Sequence, residues 1–83
     1  MRKPIREQIF TDDEYYYKII RKNIKKYRLE NNLTQQELAD ITGLSRGYIC
    51  DIESQSRDKH FSLVVLTRIS FALNKNISLF YVE

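Results

Sequence analysis

Apolar and polar positions along this chain recur at the spacing of helices, and capping residues and stops cut them into short blocks. Tyr16, Ile20, Ile24 and Tyr27 fall on one face at steps of three and four, as an amphipathic helix requires. Thr11-Asp12-Asp13-Glu14 precedes them as a capping box, with its acids where the helix dipole favours negative charge. Phe10 and Tyr15 are spaced as a hydrophobic staple. The pattern predicts a first helix from near Asp12 to about Glu30, ended by Asn31-Asn32. Residues 1–10, with one Pro and the basic Arg2, Lys3 and Arg6 but no apolar stripe, read as an arm.

The next two blocks are shorter. Thr34 and Glu37 form a second capping box, Leu38, Ala39 and Ile41 supply an apolar face, and Thr42-Gly43 stops the run. Glycine suits that stop because a left-handed backbone carries no Cβ penalty there. Leu44 reads as an apolar plug and Ser45 as an N-cap. Tyr48, Ile49 and Ile52 then give an inward stripe to a helix of about Arg46 to Ser54, leaving Arg46, Gly47, Cys50, Asp51 and Ser54 on its other face. Two short helices joined by a tight turn are the layout of a helix-turn-helix.

Gln55 to Phe61 is polar and reads as a loop. Ser62 can cap a fourth helix whose Leu63, Val65, Leu66, Ile69, Phe71 and Leu73 are apolar on more than one side, which marks deep burial or a surface held for a partner. Asn74-Lys75-Asn76 ends it and Ile77 packs back. Ser78 can cap a short fifth helix containing Leu79, Phe80, Tyr81 and Val82.

A chain of 83 residues makes one small domain with no room for a separate sensor, and with 42% apolar residues, two Gly and one Pro it is built to be helical and globular. No apolar run reaches the length of a membrane span, and the N-terminus has no apolar signal region, so a soluble, cytosolic protein is expected. The single Cys50 cannot form an intrachain disulfide, and one Cys with one His cannot assemble a metal site unaided. Cys50 is expected to be a small residue on a polar face, with a redox role as the alternative. Asp12, Asp13 and Glu14 need no metal in a capped first turn. No nucleophilic triad or phosphate-binding glycine loop is present, so neither catalysis nor a cofactor is expected.

The net charge of +3 matters less than its layout. Lys18, Arg21, Lys22, Lys25, Lys26 and Arg28 crowd a stretch without an acid, concentrating positive potential on one helix. Each alone reads as a solvated side chain; together they suit phosphate contact or the steering of DNA.

The pattern I-x3-I-x2-Y-R-x4-LTQQELA-x3-G-LS-x2-YI-x2-IE, from Ile20 to Glu53, resembles the Cro/C1-type (XRE-like) helix-turn-helix regulators of prokaryotes and phages, and SLVVLTRISFALNKNISLFY extends the likeness to Tyr81. The resemblance implies an all-α, five-helix, lambda-repressor-like DNA-binding domain over residues 11–83, with an N-terminal arm over 1–10 and an extended first helix. Base-reading residues are then expected at Ser45, Arg46, Gly47 and Asp51, on the first turn and outer face of the recognition helix. Arg46 leads, since its planar fork matches guanine O6 and N7, with phosphate contact or solvation as the other readings. Asp51 departs from the neutral polar types expected there, and either accepts from cytosine N4 or pairs with Arg46.

Phosphate contacts are expected from Gln35, Gln36, Tyr48, Ser54, Arg57 and Lys59, with Ser56 in the same loop and His60 capping or solvated. Tyr48 alternatively only packs. The family implies that Arg28 and Glu53 form an internal salt bridge. Glu37 and Asp40 offer a polymerase-facing patch should the protein activate.

A single reading head covers few base pairs, so a homodimer on half-sites of a palindromic operator is expected, roughly 34 to 36 Å apart. Its interface is expected at the apolar Phe71, Ile77, Leu79, Phe80, Tyr81 and Val82, the alternative being that they only close the small core; restriction-modification controller proteins, which the chain resembles in size, pair through their last two helices. The alternative is an antitoxin or other protein-interaction module whose DNA binding is autoregulatory. The arm serves either a minor groove or an interface.

Overall fold

The computed structural model describes residues 14–55 and 60–83. Four α-helices follow in order: α1 (Tyr15–Glu30), α2 (Gln35–Thr42), α3 (Arg46–Glu53) and α4 (Leu63–Ala72); a 3-10 turn (Ile77–Tyr81) follows. Every regular element among the described residues is thus helical. The fifth element is a short 3-10 helix and not an α-helix: the Leu79 N–H bonds the Asn76 carbonyl, three residues back, at 2.9 Å. The arm, the Thr11 capping box and the Phe10 staple lie outside the described residues.

Local chemistry sets the helix ends. Thr34 Oγ1 accepts from the Glu37 N–H at 3.0 Å while the Glu37 carboxylate accepts from the Thr34 N–H at 2.8 Å, closing the reciprocal box. Ser45 and Ser62 each accept from the N–H three residues on, in Tyr48 and Val65. Gly43 caps α2 in the left-handed region at φ 76°. At the 3-10 turn the cap is Asn76, not the expected Ser78: its Oδ1 accepts from the Ser78 N–H at 3.0 Å, as an Asx turn does.

One core joins the elements. Ile20 and Ile24 of α1, Leu38 and Ala39 of α2, Ile49 and Ile52 of α3, and Leu66 and Ile69 of α4 pack with Phe61, Leu73 and Phe80. Truncating any of the larger of these to Ala would cost about 2–5 kcal/mol.

The inward faces are rotated from those expected at two places, in α1 and in α2. In α1, Tyr16 is 54% exposed, while Tyr17 turns in and donates its hydroxyl to the Phe61 carbonyl at 3.0 Å. Arg21 and Asn23 of the same helix are buried on different sides, Arg21 against Glu14 and Asn23 against the 3-10 turn, whose Phe80 carbonyl it bonds. In α2, Ile41 is 57% exposed, and Thr42 takes the inward position by donating its hydroxyl back to the Leu38 carbonyl at 2.8 Å. In α4, Leu63 and Val64 are exposed at the first turn, ahead of the buried Leu66.

Candidate nucleic-acid interface

The recognition unit begins at Gly43. Its N–H and that of Leu44 both reach back to the Ala39 carbonyl, so the chain reverses within two residues and delivers Ser45 to the start of α3. Ile49 and Ile52 anchor α3 in the core and Tyr48 is half-buried beside them. The opposite face is presented outward: Ser45, Arg46, Gly47 and Cys50 are exposed, and Asp51 and Ser54 are half-buried. A Cβ at Gly47 would meet nothing within 4 Å, so the space above the first turn of α3 is open.

Burial pushes the Tyr48 phenol above its ordinary range, with an electrostatic contribution from Tyr17. A phenol keeps its proton near neutral pH even without this shift, so the hydroxyl is able to donate to a phosphate oxygen.

Behind α3 stands a buried ion pair. Arg28 donates from Nε to Glu53 Oε2 at 2.7 Å and from Nη2 to Glu53 Oε1 at 2.9 Å, a two-pronged geometry that raises the guanidinium pKa further. Its Nη1 also donates to the Leu33 carbonyl at 2.7 Å, holding the turn into α2. Gln35, expected to face phosphate, donates from Nε2 to Glu53 Oε1 at 3.2 Å. Gln36 is exposed and donates to Asp40 at 2.9 Å. Arg57, Lys59 and Ser56 lie outside the described residues.

The basic run of α1 separates into two kinds. Lys18, Lys22, Lys25 and Lys26 are exposed, whereas Arg21 and Arg28 are buried against Glu14 and Glu53. Guanidinium groups suit such paired, buried positions, and the strongly hydrated ammonium groups remain at the surface.

His60 is neither a cap nor simply solvated. Its ring stacks on Tyr17, with centroids 4.3 Å apart and 14° between planes, and its Nε2 bonds the Glu14 carboxylate. Sequence spacing gave no sign of this pairing, nor of the Gln35–Glu53 contact, because both join residues brought together only by the fold. The Asn76 cap was discoverable, since an Asn two residues before a Ser is an Asx-turn signal.

The expected C-terminal surface is reduced. Phe80 is fully buried and belongs to the core, so it has no surface to offer a partner, and Ile77 is half-buried. Phe71 is 80% exposed, and Leu79, Tyr81 and Val82 are also exposed. Phe71 lines a cleft with Ile41, Thr42, Arg68 and Ala72, whereas Tyr81 lines another with Tyr16, Tyr17 and Leu63.

Among the described residues no group of acidic, His or Cys side chains is arranged to hold a metal ion, and no helix is long and apolar enough to cross a membrane. With this geometry, residues 24–80 match the family model described as helix-turn-helix, and the chain belongs to the Cro/C1-type, XRE-like helix-turn-helix family of DNA-binding transcription regulators. Among curated proteins it is similar to Control protein C.SmaI of Serratia marcescens, with 37% identity over 59 residues that make up 71% of this chain and 68% of that relative.

Proposed function

We propose that this regulator binds a palindromic operator as a homodimer, placing α3 of each protomer in the major groove and controlling genes of a restriction-modification system. The observation that carries the reading is the outward face of α3: Arg46 and Gly47 stand exposed at a capped helix start, over open space, on a helix anchored behind by Ile49 and Ile52. Ser45, Arg46, Gly47 and Asp51 meet base edges in this reading. Gln35, Gln36, Tyr48, Ser54, Arg57, Lys59 and the exposed lysines of α1 meet phosphates. Likeness to a control protein supports the regulatory setting. Phe71, Leu79, Tyr81 and Val82 supply the apolar surface for pairing.

The test compares specific with non-specific affinity at fixed salt. Arg46→Ala should lower the ratio by about 1–3 kcal/mol, whereas Lys25→Ala should weaken both complexes and flatten the salt dependence. Specificity that survives Arg46→Ala removes Arg46 from the reading role.

A second reading, an antitoxin or other interaction module, is favoured by the exposed Phe71 and Ile41 beside the same cleft. A stable complex with another protein encoded nearby would support it, and a homodimer unchanged by Phe71→Ser would leave that face free for such a partner.

A further inference from the structure

We propose that Glu53 is a positioning residue for DNA binding, and that it acts by orienting the side-chain amide of Gln35. The inference rests on the DNA-binding reading above and deepens it by joining the phosphate-facing start of α2 to the last turn of α3.

Glu53 is buried at the end of α3, and its carboxylate is held by Arg28 on both oxygens. The two-pronged grip fixes the plane of the carboxylate. Oε1 accepts in addition from Gln35 Nε2 at 3.2 Å. A carboxylate only accepts, so it selects the nitrogen end of the Gln35 amide; the flipped amide would set oxygen against oxygen. The charge on Glu53 thus decides which end of the amide faces inward. One N–H is used in the link, and the half-buried amide keeps a second N–H for an acceptor beyond Glu53.

Arg28 reinforces the same point from the other side. Its Nη1 donates to the carbonyl of Leu33, two residues before Gln35, so one guanidinium holds both the chain entering α2 and the carboxylate that orients its first side chain. The first turn of α2 and the end of α3 therefore share a rigid polar node as well as apolar packing. A donor fixed in advance loses less freedom on binding than a mobile one. Phosphate contacts carry no sequence information, so the benefit falls equally on all DNA sequences.

The test is a double-mutant cycle on the full chain, using a duplex recovered from a random DNA pool and an unrelated duplex of equal length. Glu53→Gln keeps the shape while removing the charge that selects the amide nitrogen. With Gln35 present it should weaken binding to both duplexes by about fivefold, a net hydrogen bond's worth, and with Gln35→Ala by less than about twofold. Equal losses in the two backgrounds overturn the proposal, since a merely structural Glu53 acts whether or not Gln35 is there. Unchanged affinity in Gln35→Ala overturns it too. Failure of the unmutated protein to select any duplex brings down the DNA-binding reading, and this proposal with it; an additive cycle brings down the proposal alone.

Should Glu53→Gln not fold, the link is read by NMR in the unmutated protein. Separate, slowly exchanging Gln35 side-chain amide protons that persist in the DNA complex support it. Averaged, rapidly exchanging protons in the complex overturn it.

Discussion

The side-chain amide of Asn23, midway along α1, donates to the backbone carbonyl of Phe80 at 2.8 Å and to that of Val82 at 2.8 Å. A short 3-10 turn has poor internal hydrogen bonding, so its place depends on what grips it from outside. Asn23 grips the backbone and the buried Phe80 ring anchors the side chain. Asn23→Leu, close in volume but with no donor, should strand these carbonyls and destabilise the fold by about 1–3 kcal/mol. The turn carries Leu79, Tyr81 and Val82, so self-association measured by sedimentation below the melting transition should weaken as well. Loss of stability with unchanged association would show that these residues do not form the pairing surface.

The Arg28–Glu53 pair calls for a different comparison. Removing one partner leaves a buried charge alone, so Arg28→Ala should cost about 3–5 kcal/mol and lower the thermal midpoint of so small a domain by more than about 12 °C. Replacing both by Leu leaves no orphaned charge. The double variant should therefore be more stable than Arg28→Ala in thermal unfolding followed by circular dichroism, and the reverse order would mean that the pair contributes more than its desolvation costs.

Much of the fold was legible because its signals are local. Thr34 with Glu37, Gly43, Ser45 and Ser62 act within four residues of themselves, and their caps stand where sequence puts them. The face that each helix buries was less legible. One residue of rotation exchanges Tyr16 for Tyr17, and what decides it is Phe61, distant in sequence, accepting the Tyr17 hydroxyl. Arg21 and Asn23 read as surface residues by type, and are buried because Glu14 and the 3-10 turn supply their partners. The candidate site shares this division. Arg46 and Gly47 are exposed by the period of α3 alone, whereas the engagement of Gln35 by Glu53 depends on how α2 meets α3.

The two glycines should respond oppositely to alanine. Gly43 has room for a Cβ but holds φ at 76°, so Gly43→Ala should destabilise by about 1 kcal/mol through backbone strain. Gly47 lies inside α3 with open space around it, so Gly47→Ala should stabilise by about 0.5–1 kcal/mol through helix propensity. Chemical denaturation reads both. If Gly47→Ala also weakens DNA binding while raising stability, the bare backbone at that position is used for close approach to the groove.

The Glu14–His60 contact makes acid stability a reporter of how the chain beyond α3 is tied to α1. The His60 hydrogen bond is the largest influence holding the Glu14 carboxyl below its ordinary range; burial opposes it, and the charges of His60 and Arg21 add to the lowering. A carboxyl whose folded pKa is depressed contributes stability above its unfolded value, near 4, and loses that contribution as pH falls through the folded value. Thermal midpoints of the unmutated protein should therefore drop more steeply than those of Glu14→Gln as pH is lowered below about 4.5. His60→Phe keeps a ring to stack on Tyr17 but removes the bond to Glu14, and should flatten the acid limb in the same way. Arg21 retains its own contact with Glu14 at 3.4 Å, so the flattening in His60→Phe should be smaller than in Glu14→Gln. Parallel profiles for all three proteins would show that the Glu14 carboxylate gains nothing from His60 in the folded state.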